Sequence, residues 1–103
     1  MHEYEATLVR VIDGDTIVVD IDLGFRVTSR QPVRLYGINT PERGQPGYKD
    51  ATEALRSLLS AGTFVVRTIK PEDKYGRFLA EIDGVAESMI ASGHAVPYFG
   101  GTR

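Results

Sequence analysis

The nine residues Arg34-Leu35-Tyr36-Gly37-Ile38-Asn39-Thr40-Pro41-Glu42 put an arginine, an amide, a pre-proline carbonyl and a carboxylate into one short stretch. Each type has a defined chemistry. A guanidinium is a planar fork that grips phosphate through two parallel hydrogen bonds. The Asn39 side chain offers a carbonyl oxygen, a donor of the kind hard divalent cations accept. Thr40 precedes a proline, which pushes it towards an extended conformation and leaves its carbonyl available to a cation. Glu42 is suited to orient or deprotonate a water. Two other stretches supply matching groups. Asp13-Gly14-Asp15-Thr16 sets two carboxylates about a glycine, with the Thr16 hydroxyl placed to hold a neighbouring carboxylate. Asp73-Lys74-Tyr75-Gly76-Arg77 adds a second arginine, a lysine, and a tyrosine that can stack on a base or donate to a phosphate oxygen. Taken singly, each group has a plainer explanation. Asp-Gly-Asp is an ordinary turn, Arg34 a surface residue, Glu42 a loop glutamate, and the last stretch a solvated hairpin.

Strands must hold these groups in place. Glu5 to Ile12 is rich in β-branched residues and alternates imperfectly; Ile17 to Ile21 resumes the pattern after Asp13-Gly14-Asp15, so the pair reads as a hairpin. A third strand lies within Phe25 to Leu35. Pro32 inside it predicts an edge or a bulge, because proline cannot donate to a ladder. Gly44, Pro46 and Gly47 mark a loop. A helix is predicted from Asp50, with Ala51, Ala54, Leu55, Leu58 and Leu59 on one face and Gly62 as its stop. Thr63 to Ile69 and Arg77 to Ile82 give two more strands, separated by the polar loop Pro71 to Gly76. Val85 to Ser92 gives a short helix with Val85, Met89 and Ile90 on one side. The tail from Pro97 is glycine-rich and is expected to fray. The order predicts a mainly β, α+β fold: a five-stranded barrel with a helix between strands 3 and 4 and a short C-terminal helix, the pattern of the oligonucleotide/oligosaccharide-binding (OB) fold.

At 103 residues, with 42% hydrophobic and 25% charged residues, the chain is expected to form a single globular domain over 1–103, with 99–103 as a flexible tail. The absence of cysteine excludes disulfides and thiolate chemistry. No signal peptide and no apolar run of membrane-spanning length is visible, so a protein without a membrane partner is expected, cytoplasmic by default, with the mature form of a secreted protein as the alternative. Nothing points beyond a monomer. The net charge of −2 predicts local, site-directed contact with nucleic acid, not a broad basic face.

The three stretches, in this order, resemble the signature segments of the staphylococcal nuclease (thermonuclease) family: Val11 to Thr16, Arg34 to Glu42, and Asp73 to Ala80. The resemblance runs from about Ala6 to about Tyr98. It implies the barrel above and calcium-dependent hydrolysis of DNA and RNA phosphodiesters. It implies that Asp15 and the Thr40 carbonyl ligate the metal, with Asp13 just outside them. It also implies Glu42 as general base, Arg34 and Arg77 as phosphate-binding arginines, and Lys74, Tyr75 and, more loosely, Tyr98 as nucleotide contacts. Asn39 stands where the family has a second metal-ligating aspartate. Loss of that charge is expected to weaken calcium binding by about 1–3 kcal/mol, roughly 10- to 100-fold, or to favour another divalent cation. The competing expectation is a weakened or non-catalytic domain that binds nucleic acid or protein. Asn39 favours that alternative, whereas Arg34, Glu42 and Arg77 favour catalysis. His2 and His94 match no family site, and His94 is expected to be packed or solvated.

Overall fold

The computed structural model describes residues 2–70 and 76–99. Five strands close a barrel: β1 (Glu3–Asp13), β2 (Thr16–Asp22), β3 (Thr28–Leu35), β5 (Phe64–Lys70) and β6 (Phe78–Glu81). Their order around the barrel is β1-β2-β3-β6-β5. All neighbours are antiparallel except β3 and β6, which run parallel. Helices α1 (Tyr48–Leu59) and α2 (Val85–Ala91) flank it. The expected five-strand, two-helix barrel is therefore the observed one. Among the described residues no helix is long and apolar enough to cross a membrane.

The imperfect alternation of the first strand has a physical cause. Ala6 and Val11 are both buried although an odd number of positions separates them. The register slips between Leu8 and Arg10 and again between Val11 and Asp13. A bulge adds one residue to a strand and so restores the inward set after each slip. Pro32 pairs with Val18 of β2, while the β3–β6 ladder begins one residue later, at Val33. Pro32 thus sits on a locally unpaired edge, where its missing N–H costs nothing.

The core gathers Ile17, Val19, Val33, Leu35, Val66 and Ala80 from the barrel with Leu55 and Leu59 of α1 and Met89 of α2. The α1 stripe is narrower than the spacing suggests. Ala51, Leu55 and Leu59 are buried, but Leu58 is 44% exposed, so an i, i+4, i+8 row makes the contact. Ile90 likewise turns outward, leaving Val85 and Met89 to seat α2. The helix starts at Tyr48, two residues before Asp50, after Gly47 in a left-handed conformation.

Two short strands lie outside the predicted set. β4 (Gly37–Asn39) pairs antiparallel with β7 (Val96–Tyr98), Asn39 opposite Val96 and Gly37 opposite Tyr98. The expected fraying from Pro97 is therefore wrong for Pro97 and Tyr98, which the backbone of β4 holds. Phe99 follows, packed edge-on against Tyr36 at 5.7 Å between ring centroids. The rest of the expected tail, 100–103, lies outside the described residues.

Candidate active site

The site begins at the β1–β2 turn. Asp13 and Thr16 pair across it, leaving Gly14 and Asp15 at the tip. Asp13 Oδ1 accepts the Asp15 amide at 3.2 Å, which folds the turn back on itself. A Cβ on Gly14 would stand 2.8 Å from both Cβ and Oγ1 of Thr40 and 2.9 Å from Cβ of Ala51. Only a hydrogen fits there, and so the turn, Thr40 and α1 can meet. The Asp15 carbonyl accepts the Leu35 amide at 2.8 Å, and Thr16 pairs with Arg34, which in turn pairs with Leu79 of β6. Ladder hydrogen bonds thus set the three motif stretches side by side.

Asp15 is the hub. It is 3% exposed. Its Oδ1 accepts the Thr16 hydroxyl at 3.1 Å and its Oδ2 accepts the Thr40 amide at 3.1 Å. Arg34 Nη2 lies 3.4 Å from the same Oδ2. Burial alone would raise the pKa of this carboxyl. The hydrogen bond with Asp13, the Arg34 charge and the Thr40 amide outweigh it, and Asp15 is held below the usual carboxylate range. Asp13 moves the other way, pushed up by burial and by its hydrogen bond and repulsion with Asp15. The pair therefore divides into a firmly charged member at the centre and a more readily protonated one beside it.

Arg34 is 6% exposed, inside the arc made by the backbone that follows it. Gly37, with φ of 91°, turns that arc after Tyr36 has donated to Ala80. Arg34 Nη1 donates to the Leu35 carbonyl at 2.6 Å. Its Nη2 donates to the Ile38 carbonyl at 2.9 Å and to Asn39 Oδ1 at 2.8 Å. Arg77, half-buried, reaches the same cluster from the start of β6, its Nη1 lying 3.5 Å from the Thr16 hydroxyl. Asp15, Thr16, Arg34, Asn39, Thr40 and Arg77 so form one connected string of contacts, with Asp13 hydrogen-bonded at its edge.

Glu42 stands next to this string. It is exposed, and its backbone is clamped by Gln45: the Glu42 amide donates to Gln45 Oε1 at 2.7 Å and the Gln45 amide to the Glu42 carbonyl at 2.9 Å. It lines a cleft of about 430 Å³ with Asn39, Thr40, Pro41 and Gln45. The facing wall is Gly93, His94, Ala95 and Val96, from the turn after α2 and the start of β7. Sequence reasoning missed that wall. The only signal for it was a short apolar segment after Gly93, too brief to read as a strand. Tyr98 lies at the other end of β7, half-buried opposite Gly37, and does not line this cleft. Lys74 and Tyr75 fall outside the described residues.

The donor set suits a hard cation in kind. Asp15 and Asn39 present side-chain oxygens to a single guanidinium nitrogen, and the Thr40 peptide is bonded to the same carboxylate. It is poor in charge. Among the described residues no group of three or more His, Cys, Asp or Glu side chains could hold a metal ion. Asp15 and Asn39 offer one carboxylate and one amide oxygen, and Arg34 sits against both.

Comparison with known proteins bears on the same residues. The staphylococcal nuclease homologue family matches residues 32–102. An uncharacterized endonuclease of Escherichia coli O157:H7 is 38% identical over 98 residues, covering 88% of this chain and 59% of that protein. The thermonuclease of Staphylococcus hyicus is 34% identical over 88 residues, covering 79% of this chain and 49% of that protein. The thermonuclease of Staphylococcus intermedius is 35% identical over 80 residues, 71% of this chain and 45% of that protein. The chain spans about half the length of these relatives. With its barrel and its three converging motifs, it belongs to the staphylococcal nuclease homologue family.

Proposed function

We propose that the chain is a metal-dependent phosphodiesterase that hydrolyses DNA or RNA. The observation that carries this reading is the convergence of two arginines, one firmly charged carboxylate and a separate, exposed glutamate at one end of the barrel. The relatives named above as endonuclease and thermonucleases support it.

Each group has a task in that reaction. Arg77 approaches from one side and neutralises charge on the phosphate oxygens, where it grows in the transition state. Arg34 presents a second positive charge, held rigidly by the main-chain carbonyls of Leu35 and Ile38 so that little reorganisation is needed on binding. Glu42, in the open cleft, takes the proton of the attacking water. Asp13 accepts the Asp15 amide and so holds the turn that aims the Asp15 carboxylate. Asp15, Asn39 and the Thr40 carbonyl would hold a calcium ion or another hard divalent cation, which supplies Lewis-acid polarisation of a phosphate oxygen. With only one carboxylate among those three, binding of that ion is weak.

A second reading has its own observation. Asn39 contributes no charge, and its oxygen is taken by Arg34 at 2.8 Å. A domain that binds nucleic acid without cutting it would look like this. Denatured DNA incubated with the protein and millimolar calcium separates the two. Cleavage that a chelator stops and Arg77→Ala abolishes supports the phosphodiesterase. Binding without cleavage at any calcium concentration supports the binding domain.

A further inference from the structure

The facing wall of the Glu42 cleft carries one polar side chain: Gly93, Ala95 and Val96 have none, and His94 is the exception. Its position is fixed by the backbone. The turn after α2 passes through Gly93 with φ of 79°, a left-handed conformation that glycine adopts freely. The Met89 carbonyl then accepts both the His94 amide at 2.9 Å and the Ala95 amide at 3.1 Å. Two residues on, Val96 pairs with Asn39. That pairing brings the residues just before β7 to the stretch after Asn39, and His94 and Ala95 line one cleft with Thr40, Pro41 and Glu42. The residue is half-buried, yet its imidazole enters no hydrogen bond, ion pair or ring contact among the described residues. His2, the other histidine, has a ring partner in Tyr4 at 6.3 Å, towards the far end of β1.

A nucleic-acid strand crossing this cleft passes Glu42 on one wall and His94 on the other. An imidazole carries at least one N–H in either protonation state, so it donates irrespective of charge. We propose that His94 is a further substrate-contacting residue: its imidazole N–H donates to a phosphate oxygen of the nucleic-acid backbone lying across the cleft, opposite Glu42. The contact rests on the phosphodiesterase reading only for its effect on turnover; binding alone also reveals it. It holds the strand against the Glu42 wall and so shortens the reach from Glu42 to the water that attacks.

The test uses His94→Ala and His94→Gln in the full chain, with three readouts. A labelled single-stranded oligonucleotide is titrated in the presence of a chelator, denatured DNA is cleaved in calcium to give kcat and KM separately, and thermal melting reports the fold. A hydrogen bond to a charged oxygen predicts that His94→Ala weakens oligonucleotide binding about tenfold and raises KM. Melting should match the unaltered chain, and His94→Gln, which keeps an N–H donor, should recover most of the loss. The proposal is overturned if His94→Ala binds and cleaves as well as the unaltered chain. It is equally overturned if both variants lose binding together with a lowered melting temperature, because His94 is then a packing residue. If the unaltered chain binds but never cleaves, the phosphodiesterase reading falls, and the His94 contact still stands or falls on the oligonucleotide titration.

Discussion

Two arginines gather acceptors around themselves in this molecule, and they do so in opposite ways. Arg67, on β5, is ringed by carboxylates: Glu3 at 2.8 Å, Asp83 at 2.9 Å and Glu81 at 3.2 Å. Its charge is more than matched, and its pKa is raised, first by Asp83 and then by Glu3 and Glu81. Arg34 is deeper, and its acceptors are two main-chain carbonyls, one amide and one carboxylate. Three of those four are neutral. Dipoles satisfy the guanidinium geometrically without cancelling its charge. The contrast separates a strut from a site. Arg67 ties β1, β5 and the end of β6 together and keeps no charge to offer a ligand. Arg34 holds the β3–β4 turn in shape beside Asp15 and Asn39.

Breaking each cluster should expose the difference. Arg34→Ala is expected to cost the most, about 3 kcal/mol of stability, because it strands Asp15 buried with its opposite charge gone. Chemical denaturation should show it, with cleavage lost as well. Arg77→Ala should leave the denaturation midpoint almost in place and lower kcat roughly 100- to 1,000-fold, as removal of a donor to developing charge does elsewhere. Stability and activity thus fall together at Arg34 and separate at Arg77. Gly14→Ala tests the approach that brings the turn to Thr40. Its new methyl has nowhere to go, and a loss of about 1–3 kcal/mol is expected, with cleavage reduced through displacement of Thr40. Arg67→Ala should have the smallest effect: a modest drop in melting temperature that shrinks as salt is added, and unchanged kcat. That drop should also depend on acid. Asp83 is held below its ordinary value of 3.8 by Arg67, so its contribution is full above that value and fades as the pH falls through the lowered one. Melting curves of both proteins from pH 7 downwards should therefore converge.

The parts that were legible in the sequence share one property: they are local. The Asp13–Thr16 hairpin, the run from Arg34 to Glu42 and the α1 stripe each sit within a dozen residues, where spacing maps directly onto geometry. Arg34 and Asn39 are five residues apart and touch. What escaped depends on pairing across long separations. β4 and β7 are three residues each, too short for periodicity, and their register joins positions nearly sixty residues apart. That pairing is what brings His94 to Glu42 and what rescues Pro97 and Tyr98 from a frayed tail. Arg67 was equally invisible, since its three partners come from both ends of the chain. Leu58 and Ile90 were misassigned for a milder reason. Both lie at the rim of a helical stripe, where a residue is left partly exposed.

The account turns on how little negative charge this site holds beside Arg34, and Asn39 is where that is decided. A calcium titration of DNA cleavage, run on the unaltered chain and on Asn39→Asp, tests it most directly. One added carboxylate, at a side chain that already meets Arg34 at 2.8 Å and shares it with Asp15, should lower the calcium needed for half-maximal cleavage roughly 10- to 100-fold. The unaltered chain should saturate only well above micromolar calcium. Saturation at micromolar calcium, or identical curves for the two proteins, would contradict it.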